Sequence, residues 1–138
     1  MNRDAKKHIL FVDDDPQILS SIQRFWSYAQ EEQQTLAQIQ IHFAEKPSKA
    51  LKLLQQHPIG LVVSDEELGA YELPGHMLLK HTATLRPLAQ RCLLSGYGSY
   101  PELKALAYTQ GVVHILTKPI SPKLLISRIT GLLNLVPY

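Results

Sequence analysis

Four short apolar runs punctuate the chain: HILFV at 8–12, IGLVVS at 59–64, RCLLS at 91–95 and VVHILT at 112–117. Runs of this length bounded by polar or turn-forming residues read as buried strands. A fifth stretch, AQIQIHFA at 37–44, alternates apolar and polar positions. That is the pattern of a strand with one exposed face, suited to a sheet edge. Between the strands the spacing becomes helical. PQILSSIQRFWSYAQ carries apolar residues at Ile18, Leu19, Ile22, Phe25, Trp26 and Ala29, with Asp15 as N-cap and Pro16 at the first helical position. PSKALKLLQQH, GHMLLKHTATL and YPELKALAYTQ follow, the third stopping before Pro87 and the fourth closed by Gly111. SPKLLISRITGLLNL is a last amphipathic helix, which Gly131 weakens by roughly 1 kcal/mol relative to alanine.

Strand and helix therefore alternate five times, which asks for an α/β fold: a doubly wound parallel sheet with helices on both faces. Crossovers between parallel strands are right-handed. In such sheets ligands bind beyond the carboxyl ends of the strands, near the point where strand order reverses. The strand ends are thus the place to look for chemistry.

Composition narrows the field. At 138 residues the chain suits a single domain spanning 1–138, with its core over about 7–135. A net charge of +2 is too weak to suggest a nucleic-acid or membrane partner. No apolar run reaches the roughly 18 residues that cross a bilayer, and the N-terminal run ends in acids unlike a signal peptide. The single Cys92 rules out a disulfide framework or a cysteine-rich zinc site, which points to a reducing, cytoplasmic setting.

Four of the five aspartates fall at the expected strand ends: Asp13, Asp14 and Asp15 after the first, Asp65 after the third. Ser64 precedes Asp65, Ser95-Gly96 ends the fourth strand, and Thr117-Lys118-Pro119 ends the fifth. Clustered carboxylates repel, and one has its pKa raised unless a cation intervenes. A hard divalent ion such as Mg²⁺ answers that need, keeping positions open for water and phosphate oxygens. A carboxylate can also attack phosphorus to give an acyl phosphate. A lysine and a serine hydroxyl can hold phosphoryl oxygens. Taken singly, each feature has an ordinary structural explanation; their conjunction in strand order carries the argument.

With ILFVDDDP, LVVSD, LLSGY and LTKP in that order, nearly the whole chain resembles the receiver domain of two-component response regulators. The resemblance implies a flavodoxin-like five-stranded sheet of order 2-1-3-4-5 with five helices. Asp65 would be the phosphoacceptor, Lys118 the phosphate-pairing lysine and Ser95 the hydroxyl that contacts phosphate. Asp13, Asp14, Asp65 and the backbone carbonyl of Glu67 would hold Mg²⁺ (or Mn²⁺), and Lys118-Pro119 would be cis. Implied partners are a sensor histidine kinase or phosphotransfer protein, with a C-terminal output domain or a homodimer as open alternatives. The chain then reads as a stand-alone regulator or the excised N-terminal part of a longer one.

Three departures keep a second reading open, a degenerate receiver that binds partners without being phosphorylated. The residue four after Asp65 is Gly69 where the family has proline, and the matching glycine is Gly75, which makes the loop about two residues longer. Glu66 and Glu67 add negative charge beside the site, and Ile115 stands where the family places a switching aromatic ring. A haloacid-dehalogenase-like phosphatase would also use an apolar strand ending in Asp-x-Asp. It needs a further acid beyond the lysine, and residues 119–138 contain none. The six histidines show no metal-ligand spacing, and His57, His76 and His81 read as surface residues. Tyr97 and Tyr100, beside the Ser95 strand end, read as packing.

Overall fold

The computed structural model describes residues 7–69, 73–96, 104, 105, 109 and 113–133. The five strands are β1 (Lys7–Val12), β2 (Ile39–Ala44), β3 (Ile59–Asp65), β4 (Gln90–Ser95) and β5 (Val113–Thr117). All neighbouring pairs are parallel, and the order is β2-β1-β3-β4-β5. The alternating β2 is indeed an edge strand, with Gln40 exposed. A short 3₁₀ turn over Gln34–Gln38 takes up the first part of the segment expected to extend it.

The helices are α1 (Pro16–Glu32), α2 (Pro47–Gln56), α3 (Gly75–Leu85) and α4 (Pro122–Leu132). Asp15 caps α1 by accepting from the Gln17 amide at 2.9 Å, and Ser121 caps α4 by accepting from Leu124. Each cap satisfies an amide that has no partner within its helix. The helix expected over 100–110 falls mostly outside the described residues; of these, Lys104, Ala105 and Thr109 are helical. Four of the five expected helices are therefore traced among the described residues. Tyr97 and Tyr100 also lie outside them.

Strand alternation splits the core in two. Ile9, Phe11, Leu61, Val63, Cys92 and Leu94 face α1 and α4, meeting Leu19, Ile22, Trp26, Leu125 and Ile129. Leu10, Val12, Val62 and Leu93 face α2 and α3, meeting Ala50, Leu54, Leu78 and Leu79. Each large aliphatic side chain buried this way contributes about 1.5–3 kcal/mol relative to exposure. Phe25, next to Trp26, stays on the rim of α1.

The same parity aims the strand ends. Asp13 continues the row Ile9–Phe11, and Asp65 continues Leu61–Val63, so both carboxylates emerge on the α1–α4 side of the sheet. The parity also brings together histidines that show no metal-ligand spacing in the sequence. His8 and His42 lie on the α2 side, two positions apart in the β1–β2 register, and His57 at the end of α2 stacks against both. Burial, then the charges of His57 and His8, push the His42 imidazole down to about 4.

Candidate functional site

Strand β3 does not stop short of Asp65; the residue is its last member, paired with Leu94 of β4. Asp65 is consequently 4% exposed, in a position where an unpaired carboxylate would be costly. Lys118, immediately after β5, places Nζ 2.9 Å from Asp65 Oδ1. Its backbone is held as well, the Lys118 amide donating to the Ser95 carbonyl at 3.0 Å. The Lys118-Pro119 bond is cis. Ser95, at the end of β4, is buried beside this junction.

Asp13 and Asp14 complete the cluster, with carboxylate oxygens of Asp13, Asp14 and Asp65 all within 4.8 Å of one another. Asp13 is 3% exposed and Asp14 is exposed. The Asp13 amide donates to Ala44 of the neighbouring strand, and Asp13 Oδ1 accepts from the Asp15 amide at 2.9 Å. Asp13 Oδ2 is buried and makes no hydrogen bond. Such an orphaned anionic oxygen facing two further carboxylates fits a hard divalent cation, which would take it as a ligand. Asp15, turned to its capping role, stays out of the cluster.

The electrostatics follow from this crowding. Burial pushes the Asp13 carboxyl up to about 6; the Asp15 amide and Lys118 pull against that, while Asp65 and Asp14 add to it. Burial alone would lower the Lys118 ammonium, but the hydrogen bond and charge of Asp65, then Asp13 and Glu67, hold it above the usual lysine range. Lys118 is therefore a fixed positive charge at neutral pH. An apolar cleft of about 660 Å³ between α1 and α4 opens onto Asp13 and Lys118, its walls including Ile18, Ile22, Pro119 and Leu125.

The loop after β3 resolves differently for its two glutamates. Glu66 turns back to the start of α3, its Oε1 accepting from the His76 amide at 2.8 Å and its Oε2 lying 2.7 Å from His76 Nδ1. It acts as a side-chain acceptor for an otherwise unpaired helix amide, with its charge directed to His76. The pair lies ten positions apart in sequence, so no local spacing signalled it, and His76 is not the free surface residue the sequence suggested. Glu67 stays exposed, with its charge acting on Lys118. Leu68 anchors the loop in the α2–α3 core, and Gly69 turns it with φ 71°. Gly75 then brings α3 against the Asp65 backbone and donates its amide to the Glu66 carbonyl at 2.9 Å. A methyl group there would lie 2.1 Å from the Asp65 carbonyl oxygen, so only glycine fits. Ile115 is half-buried against the α2–α3 core.

Comparison with known proteins gives a consistent match. The response regulator receiver domain family matches residues 9–130. A CheY-like response regulator receiver domain protein from Methanospirillum hungatei JF-1 superposes with a TM-score of 0.77 at 25% identity, covering 94% of both chains. A two-component response regulator from Clostridium difficile gives 0.76 at 16% identity, covering 96% of this chain and all of that one. A response regulator from Burkholderia pseudomallei, solved with a phosphorylated aspartic acid, calcium ion and citrate, gives 0.72 at 21% identity over 96% of this chain and 76% of its own. No curated protein sequence matches the chain.

Proposed function

The chain belongs to the response regulator receiver domain family, and from that premise we propose that it accepts a phosphoryl group on Asp65 from the phosphohistidine of a sensor histidine kinase or phosphotransfer protein. The observation that carries the reading is the buried Asp65 carboxylate, with Lys118 Nζ 2.9 Å from Oδ1 and the Asp13 and Asp14 oxygens beside it. An Asp65 oxygen forms the new O–P bond in line as the P–N bond to the donor imidazole breaks. The bonding pair stays on the imidazole nitrogen. Lys118 exchanges the carboxylate for a phosphoryl oxygen, and the Ser95 hydroxyl donates to another. Mg²⁺ (or Mn²⁺), when bound, supplies charge neutralisation for those oxygens; Asp13, Asp14, Asp65 and the Glu67 backbone carbonyl are the groups that would hold it. The α1–α4 cleft gives the donor an apolar approach to the site. Water attack on the acyl phosphate resets the switch.

The domain would act in the cytoplasm, where a kinase draws on ATP, and none of the described helices is long and apolar enough to cross a membrane. Its output would pass to an attached C-terminal domain or through a homodimer. The competing reading, a binding module that is never phosphorylated, draws support from Glu67, whose charge reaches Lys118. It loses the support of Glu66, which is tied to His76. Intact-mass spectrometry after incubation with acetyl phosphate separates the two. The wild type should gain one phosphoryl group only when Mg²⁺ is present, and Asp65→Asn should gain none. Equal labelling of Asp65→Asn, or no labelling of the wild type, would overturn the phosphoacceptor reading.

A further inference from the structure

At the opposite end of the sheet from Asp65, three imidazoles from three different elements meet. His8 is the second residue of β1, His42 lies on β2 and His57 follows α2. His8 Nδ1 is 2.9 Å from His42 Nε2. The ring centroids are 5.2 Å (His8–His42), 5.8 Å (His8–His57) and 4.3 Å (His42–His57) apart. One nitrogen of each ring lies within 4.8 Å of the other two. His42 is 9% exposed, while His8 and His57 are half-buried, so the group is walled on one side and open on the other.

We propose that His8, His42 and His57 form a site for a borderline divalent transition-metal ion, Zn²⁺ above all, with the fourth position open to water or to a group from outside the domain. A tetrahedral ion with Zn–N bonds of about 2.0–2.1 Å spaces three imidazole nitrogens roughly 3.3 Å apart and their centroids roughly 5 Å apart. The observed centroids already bracket that spacing, and the His8–His42 nitrogens are close to it. One nitrogen from each of the three rings lies within 4.8 Å of the others, and binding requires the stacked rings to turn toward a common centre. The donor set decides the class of ion: imidazole suits Zn²⁺, Cu²⁺ and Ni²⁺, whereas Mg²⁺ prefers the oxygens of the acidic cluster. His8 and Asp13 are five residue steps apart, about 16 Å along β1, so the two sites take different ions without competing. A bound ion would clamp the start of β1 and the middle of β2 to the turn leading into β3. The same rings could instead be a purely packed stack, and metal titration distinguishes the two.

The experiment uses the full chain, stripped of metal and then saturated with Mg²⁺ to occupy the carboxylates. Zn²⁺ alone is titrated by calorimetry and by thermal unfolding, and Co²⁺ is added separately as a spectroscopic probe. One equivalent of Zn²⁺ should bind, raising Tm by roughly 5–10 °C at a hundredfold excess over Kd. Co²⁺ should give visible d–d bands of four-coordinate ligation by three imidazoles and a water. His57→Gln, at a half-exposed helix end, should lower Zn²⁺ affinity at least about tenfold, the loss of one of three ligands, and abolish the Co²⁺ bands. Asp65→Asn should change neither. His8→Gln serves as the second variant should His57→Gln fail to fold. Undiminished Zn²⁺ binding in both His57→Gln and His8→Gln, loss of binding in Asp65→Asn, or no Tm shift in the wild type would each overturn the assignment. The readouts are independent of phosphorylation, so this inference stands or falls apart from the phosphoacceptor reading.

Discussion

Gly75 rests directly on the backbone of Asp65, leaving no space for a side chain: a Cβ there would lie 2.1 Å from the Asp65 carbonyl oxygen and 2.9 Å from Glu66 Cα. Both obstructing atoms belong to the main chain, so no rotamer change relieves the clash. Gly75→Ala must push α3 outward or displace the end of β3. We expect a loss of about 3 kcal/mol in urea unfolding, at the upper end of overpacking costs. Phosphorylation by acetyl phosphate should slow with it. A variant as stable and as readily phosphorylated as the wild type would show that α3 is not braced on Asp65.

Asp13 links stability to pH. Its carboxyl titrates at about 6 in the folded protein against 3.8 as the reference, chiefly because burial disfavours the charge. In the metal-free protein its contribution is therefore complete below pH 3.8 and is lost as pH rises through 6. His42, lowered from 6.5 to about 4, works in the opposite sense: its contribution is present above pH 6.5 and lost as pH falls to 4. Asp13→Asn removes only the first effect. At pH 7 without metal it should be more stable than the wild type by on the order of 1–2 kcal/mol, less than the full shift implies because water reaches the cluster. That advantage should vanish below pH 4. Mg²⁺ should raise the wild-type Tm more at pH 7 than at pH 5. Parallel pH–Tm curves for the two proteins would sink the account.

Glu66 holds the start of α3 through the His76 amide and ring. Glu66→Ala should cost about 1 kcal/mol, as the loss of a helix N-terminal acceptor usually does. Phosphorylation should survive, because the carboxylate is turned to His76. Complete loss of labelling in a folded Glu66→Ala protein would assign the residue a role at the phosphorus centre instead.

Cys92 sits in β4 with no exposed surface, and burial pushes its thiol up to about 12. The thiolate is the reactive species, so the native protein should resist a disulfide reagent at pH 8 and react once unfolded. The rate of labelling then reports opening of the sheet. Rapid native labelling would mean that β4 is less protected than its packing indicates.

The fold was legible because apolar runs and helical spacing alternate along the chain, and because Asp15 marks a helix start by simple capping chemistry. The acidic cluster was legible for a related reason: parallel strands deliver their ends to one edge, so Asp13 and Asp65 had to converge. The histidine cluster was not. His8, His42 and His57 are brought together by β1–β2 register and the length of α2, neither of which leaves a spacing signature. The Glu66–His76 pair escaped notice likewise, since it closes a ten-residue loop through side chains. The sequence suggested that both glutamates crowd Asp65; the geometry turns one away.

Ile115 lies opposite Leu93 in the β4–β5 ladder and packs into the α2–α3 core. A β-branched side chain has few χ1 choices and no ring to swing between inside and outside. Under the proposed reading, a change at Lys118 has a backbone route instead, because the Lys118 amide is bonded to the Ser95 carbonyl next to this pair. Under that reading phosphorylation at Asp65 would reach the β4–β5 edge of the sheet through main-chain hydrogen bonding and not through a turning ring.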